Sequence, residues 1–155
     1  MTAKLSRNNK SVAFFAGSFN PFTIGHASIV DRALNLFDEI VIGIGINTQK
    51  TTDAEIERRA AAIINLYQAD PRVRVITYSN LTVDAAREAG ASCLLRGVRS
   101  VKDFEYERDM ADINRQLSGL ETVLLYSLPE HAAVSSSVVR ELQAFGKDVS
   151  GYLPE

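Results

Sequence analysis

Residues 12–26 read VAFFAGSFNPFTIGH, and this stretch decides the fold. Its first part is a short apolar run that stops at glycine, which reads as a buried strand of a parallel sheet. Beyond it Ile29, Val30, Ala33, Leu34 and Phe37 recur at helical spacing, predicting a helix over 26–37. Between strand and helix lies a loop, Gly17 to His26. There Gly17 lets the backbone turn tightly, Pro21 stiffens the chain, and Gly25 with His26 places free amides and an imidazole at a positive helix end. In that order strand, glycine-containing turn and helix make a phosphate cradle with a donor beside it. Taken alone, the Gly-His pair also reads as a helix start that His26 only caps or packs against.

Working outward, the same alternation repeats. EIVIGIGI (39–46) is a second buried strand, in which Gly43 and Gly45 permit close approach of a neighbour or ligand. Thr52-Asp53-Ala54-Glu55 is a capping box that opens a helix reaching Tyr67. VRVITY (73–78) is a third strand, and 83–89 a short helix ended by Gly90. Ser92 to Leu95 is a fourth strand, followed by a helix over 102–117 whose first turn suits Ser100 and Asp103. ETVLLY (121–126) gives the fifth strand, and Ser135 or Ser136 caps a last helix that runs through Ala144 and stops at Gly146. Five βα units in succession predict an α/β, Rossmann-like, doubly wound five-stranded parallel sheet with helices on both faces.

Composition bounds what such a sheet does. The chain has 155 residues at 17.0 kDa, 46% of them hydrophobic, and a domain of this size buries roughly 70% of its unfolded surface. Seventeen basic against nineteen acidic side chains, a net charge of -2 and a pI near 5.7 argue against a general nucleic-acid binder. Ile40 to Ile46 is too short to cross a bilayer, and the start MTAKLSRNNK lacks the apolar stretch of a secretory signal, so no membrane partner and a cytoplasmic location are expected. One cysteine, Cys93, excludes an internal disulfide and reads as a small buried apolar residue; with only His26 and His131 beside it, no structural zinc site is expected. Lys4, Arg7 and Lys10 belong to a polar start that reads as a solvated tail.

The loop lacks both the G-x-G-x-x-G dinucleotide fingerprint and the Walker pattern. Thr23-Ile24-Gly25-His26 resembles instead the T/H-x-G-H signature of the nucleotidylyltransferase superfamily, with Gly17-x-Phe19-x-Pro21 upstream. RGVRSVKDFEYE (96–107) is similar to the R-G-x-R-x-x-x-D-F-E-Y-E block of the bacterial phosphopantetheine adenylyltransferase family, and SSSVVRE (135–141) to its S-S-S-x-V-R/K-E segment. The resemblance runs from about Val12 to Pro154, in order. It implies a layout of a flexible tail, 1–10, and one nucleotidyltransferase domain, 11–155. The reaction implied moves AMP from ATP to 4′-phosphopantetheine, giving dephospho-coenzyme A and pyrophosphate. That chemistry needs no side-chain nucleophile; it needs cations and amide donors, with Mg²⁺ assisting, to hold two mutually repelling anions for in-line transfer.

By the same resemblance His26 contacts the α-phosphate side of ATP and stabilises the transition state, and Ser18, where many members have Thr, sits with Phe19 where both substrates meet. Lys50 matches the lysine that binds the acceptor phosphate, although its context here is Asn47-Thr48-Gln49-Lys50; its other reading is an exposed loop lysine. Arg96 faces phosphopantetheine, and Gly97, Val98 and Arg99 line ATP; the competing reading gives the arginines surface ion pairs with Asp103 or Glu105. Glu107 matches a glutamate near the ATP ribose, and Thr82 an acceptor-contacting position that is usually apolar. Ser135, Ser136 and Ser137 hold the β- and γ-phosphates or serve as plain caps. His131, where members often carry an aromatic, stacks near adenine or lies on the surface. The family also brings expectations of a homohexamer and of coenzyme A as a feedback ligand. Two other readings of the chain stay open: a sibling enzyme with another acceptor, such as nicotinamide mononucleotide or glycerol 3-phosphate, and a catalytically silent nucleotide-binding domain.

Overall fold

Apolar residues that alternate in direction along one strand can serve two cores at once, and β1 (Val12–Gly17) does so. Ala13 and Phe15 belong to one buried cluster, with Ile40, Ile42 and Ile44 of β2 (Glu39–Gly45) and Ile29, Val30 and Ala33 of α1 (Ile24–Ala33). Val12, Phe14 and Ala16 point the other way, into a cluster with Val41 and with Val83, Ala85 and Ala86 of α3 (Thr82–Glu88). In this computed structural model, which describes residues 10–155, the sheet is therefore covered on both faces. Each fully buried Phe, Ile or Val contributes about 1.5–3 kcal/mol of transfer free energy.

The five strands run parallel in the order β3-β2-β1-β4-β5, with β3 at Val73–Tyr78, β4 at Cys93–Val98 and β5 at Glu121–Tyr126. Order reverses between β1 and β4, so a ligand crevice is expected beyond their carboxyl ends. α2 (Asp53–Tyr67) covers the α1 side through Ile63, while α4 (Val101–Ser118) packs on α3, β4 and β5. α5 (Ser136–Ala144) follows a short 3₁₀ turn, Pro129–His131. The polar start with Lys4 and Arg7 lies outside the described residues; Lys10 is inside and pairs with Glu39 at 3.1 Å.

The main departures from expectation are at β4, α1 and Gly17. The fourth strand does not stop at Leu95: the β5 ladder continues through Arg96↔Leu124, Gly97↔Leu125 and Val98↔Tyr126, so Arg96, Gly97 and Val98 lie in the strand rather than after it. Arginine and glycine are poor strand formers, and only cross-strand pairing keeps them extended. α1 begins at Ile24 and ends at Ala33, where Leu36 and Phe37 amides close a tighter turn on the Ala33 carbonyl. Gly17 is not there for its backbone angle: the left-handed residue of the loop is Phe19, at φ 47°. A Cβ on Gly17 would stand 2.9 Å from the Phe19 ring, so its hydrogen makes room for that ring. Likewise a side chain on Gly43 would collide with the Phe14 ring.

Local signals otherwise hold. Thr52 and Glu55 cap α2 reciprocally, Ser100 accepts from Asp103 N at α4, and Gly90 and Gly146 carry positive φ past α3 and α5. Cys93 is 8% exposed in the core, and burial raises its thiol pKa, which keeps it uncharged. Among the described residues no helix is long and apolar enough to cross a membrane.

Candidate active site

The β1–α1 loop, with its Asn20-Pro21 bond cis, enters α1 through Thr23. Thr23 Oγ1 accepts from His26 N, while His26 Nδ1 accepts from Thr23 N at 2.9 Å, a reciprocal cap in which imidazole replaces the usual carboxylate. A backbone N–H can only donate, so Nδ1 is the unprotonated nitrogen and the neutral ring carries its hydrogen on Nε2. Phe15, Phe19 and Phe22 surround the ring at centroid distances of 6.2, 5.0 and 5.3 Å. Desolvation by this wall, with the nearby positive charges of Arg96 and Arg99, lowers its pKa from 6.5 to about 4. At neutral pH His26 is an uncharged Nε2–H donor.

It faces a cavity of about 270 Å³ at the carboxyl end of β1 and β4, where the strand order reverses. Ser18, Phe19, His26, Arg96, Gly97, Arg99, His131, Ser135 and Ser136 all line it. A second cavity, about 320 Å³, opens on the other side of the β1 end against α4, lined by Leu81, Leu94, Tyr106, Met110 and Asn114 together with Thr82 and Glu107. Ala16, Gly17, Ser18 and Arg96 belong to both. Thus a cationic, amide-rich chamber and a largely apolar one share a wall at one serine and one guanidinium.

Arg96 is held there from two sides. Its Nε and Nη2 donate to the Glu107 carboxylate at 2.8–3.0 Å, and Nη1 to the Ala16 carbonyl. Glu107 is 6% exposed, and a carboxylate so buried needs this fork. The ion pair joins Arg96 to Glu107, two residues beyond Glu105, and neither Asp103 nor Glu105 is its partner. Arg99 does meet Asp103, at 3.4 Å, with Arg99 N donating to the same carboxylate. Its side chain still lines the first cavity.

Other positions separate. Glu107 and Thr82 stand in the second cavity, Thr82 Oγ1 at 2.9 Å from Tyr78 Oη. Val98 is buried in β4, its carbonyl accepting from Ser127 N. Lys50 is exposed in a turn closed by Asn47 and lines neither cavity. The three serines differ: Ser135 Oγ caps α5 by accepting from Val138 N, Ser136 Oγ donates to Pro21 O at 2.7 Å, and Ser137 Oγ accepts from Arg140 and lies off the cavity. His131 Nδ1 is buried without a partner among the described residues, on the wall of the first cavity. Sequence reasoning gave no role to Tyr78, Met110 and Asn114, which no motif distinguishes from core or surface residues, or to Tyr106, although the 96–107 block contains it.

Among the described residues no three His, Cys, Asp or Glu side chains cluster as a metal cage, and the first cavity is lined by no carboxylate. Its donors suit anions, and a divalent ion would find its oxygens on a bound nucleotide.

Comparison with known proteins agrees with this geometry. The cytidylyltransferase-like family matches residues 14–142. A phosphopantetheine adenylyltransferase of Porphyromonas gingivalis is 57% identical over 94% of this chain and 95% of its own. The enzymes of the same name from Bacteroides thetaiotaomicron and Flavobacterium psychrophilum are 54% and 42% identical, each over 92% of this chain and 95% of theirs. Among solved structures, a bifunctional NMN adenylyltransferase/ADP ribose pyrophosphatase of Francisella tularensis, complexed with AMP and manganese, superposes with a TM-score of 0.68 at 14% identity. It covers 94% of this chain and 44% of that one, a likeness of fold alone. With its sheet order, its T-x-G-H helix start and relatives matched over nearly their whole length, the chain belongs to the phosphopantetheine adenylyltransferase family of cytidylyltransferase-like nucleotidyltransferases.

Proposed function

We infer that the chain transfers the adenylyl group of ATP to 4′-phosphopantetheine, releasing pyrophosphate and dephospho-coenzyme A. The observation that carries this reading is the shared wall: a phosphate-binding chamber and an apolar chamber meet at Ser18 and Arg96. ATP occupies the first, with His131 at the base end and Arg99 and the Ser135, Ser136 and Ser137 end of α5 toward the β- and γ-phosphates. The pantetheine arm lies in the second against Leu81, Tyr106 and Met110, beside Thr82 and Glu107, and its phosphate meets Arg96, with Lys50 closing from the β2–α2 turn. An acceptor phosphate oxygen attacks the α-phosphorus, the bond to the bridging oxygen breaks, and pyrophosphate departs with the electron pair, with no covalent enzyme intermediate.

In this scheme His26 donates from Nε2 to a non-bridging α-phosphate oxygen as charge builds there, and being neutral it loses no proton. Gly97, Val98 and Phe19 shape the nucleotide side through the backbone. Glu107 acts through Arg96, which it orients. Bound with ATP, Mg²⁺ would supply further charge neutralisation, while this chain's own cations, Arg96 and Arg99, face the same anions. Residues 11–155 work as one nucleotidyltransferase domain in the cytoplasm, with coenzyme A, which carries the same pantetheine arm, as a feedback ligand competing for the second chamber. A homohexamer would cover the exposed apolar side chains of α4, Val101, Phe104, Ile113 and Leu117; a monomer by light scattering removes that assembly.

Acceptor-dependent pyrophosphate release tests the reaction. Turnover with 4′-phosphopantetheine and not with nicotinamide mononucleotide or glycerol 3-phosphate is expected. Binding of ATP without any pyrophosphate would leave a silent nucleotide-binding domain.

A further inference from the structure

The β1–α1 loop divides its backbone groups by polarity. Its carbonyls are taken by donors from elsewhere in the chain: Arg59 Nη1 donates to Ser18 O at 3.0 Å, Arg140 Nη1 to Asn20 O at 2.6 Å, and Ser136 Oγ to Pro21 O at 2.7 Å, while Arg96 donates to Ala16 O at the end of β1 just before it. Its amides ahead of Pro21 are left over. No acceptor among the described residues reaches the N–H of Ser18, Phe19 or Asn20. Successive unpaired amides around a left-handed residue form a concavity for an anion, and Phe19 is that residue, at φ 47°. For a non-glycine residue this conformation is unfavourable, so surrounding contacts must hold it.

Arg59 is placed to do so. The bond between Ser18 and Phe19 is trans, the cis bond of the loop being Asn20-Pro21, so the Ser18 carbonyl and the Phe19 N–H point in opposite directions. Phe19 stands between two cavities: one of about 600 Å³ against α2, lined by Arg59, and the nucleotide chamber, lined by His26. Drawing the carbonyl toward α2 turns the amide away from α2, toward the nucleotide side. We propose that Arg59 is a positioning residue, whose hydrogen bond to Ser18 O fixes the Ser18–Phe19 peptide with its N–H presented to the nucleotide phosphates. Arg59 does not line the phosphate chamber and acts only through that peptide. The proposal rests on the adenylyl-transfer reading above and adds to it a residue that no motif in the chain marks.

Steady-state kinetics of Arg59→Met and Arg59→Lys, with pyrophosphate titrations of ¹⁵N-labelled protein, test it. Arg59→Met lowers kcat about tenfold to hundredfold and raises KM for ATP more than KM for 4′-phosphopantetheine, and Arg59→Lys restores most of the loss. In the wild-type protein the Phe19 amide resonance shifts on adding pyrophosphate; in Arg59→Met it does not. Wild-type kinetics in a folded Arg59→Met, a loss spread equally over both KM values, or no rescue by lysine would overturn the proposal. Should Arg59→Met not fold, the wild-type titration still decides, because an unresponsive Phe19 amide refutes the presented N–H. A wild-type enzyme that binds pyrophosphate through Phe19 but never adenylylates 4′-phosphopantetheine refutes the reaction and spares Arg59.

Discussion

Two loops at the same edge of the sheet are built in opposite ways. The β1–α1 loop is pinned by side chains that arrive from α2, β4 and α5, across 41, 80 and 120 residues of sequence. Among the described residues, the β2–α2 turn carrying Lys50 is closed by its own Asn47 alone, through Lys50 N, Thr51 N and Gln49 N. Where charge changes during a reaction, rigid donors are worth most, because they need not reorganise as it happens. A cation that only gathers the second substrate has no such requirement and can sit on a loop that the substrate itself orders. The difference separates a part of the site that is finished before ligands arrive from a part that they complete.

The sharpest test removes the pinned donor. His26→Ala is expected to lower kcat by about 10²–10³ while KM for ATP changes severalfold at most, as fits a group acting mainly in the transition state. Equal losses in kcat/KM and in ATP affinity would make His26 an ordinary binding residue, and the contrast between the loops would lose its point. Next in size is the support of Arg96. Glu107→Ala leaves a partly buried guanidinium without its carboxylate; unfolding free energy should drop by about 2 kcal/mol in a denaturant titration, with a rise of about tenfold in KM for 4′-phosphopantetheine. An unchanged acceptor KM would show that Arg96 needs no orienting partner.

Lys50→Met should then raise the acceptor KM about tenfold and leave both KM for ATP and the melting temperature where they were. A loss of melting temperature would mean that the turn is anchored after all. The smallest signal is a titration. Imidazole NMR should place His26 near its lowered value of about 4, well below an ordinary histidine, so no part of the activity profile near pH 6.5 arises from it. Because the unfolded chain takes up that proton at 6.5 and the folded chain does not, stability falls as pH drops from 6.5 toward 4. His26→Gln should flatten that slope, and an unchanged slope would assign the loss to other groups.

The contrast also explains which parts could be read from residues alone. Strand and helix order came from VAFFAG, EIVIGIGI and VRVITY, where burial on both faces writes continuous apolar runs, and from Thr52-x-x-Glu55, a cap with a known partner type. Thr23-x-x-His26 is the same cap with an unusual partner: that His26 caps the helix start was one of its two readings, but the reciprocal bond to Thr23 N was not legible, because imidazole replaces the usual carboxylate. The end of β4 was misplaced because Arg96 and Gly97 are extended by β5, not by their own preference. His26, Arg96 and Arg99 were found through motif spacing and do converge on one chamber. Arg59 was not, since a guanidinium that seizes a distant carbonyl leaves no periodic trace; Arg140 lies inside the 135–141 segment, but its bond to Asn20 O could not be read from there. Lys50 was legible as a residue and not as a position, since a locally closed turn says nothing about where its side chain reaches.

Gly17 and Phe19 occupy one space between them, a single atom of one excluded by the ring of the other. Drift at either position is therefore coupled: in a library randomised at both, survivors would enlarge residue 17 only as residue 19 shrinks, and single replacements of Gly17 would vanish first.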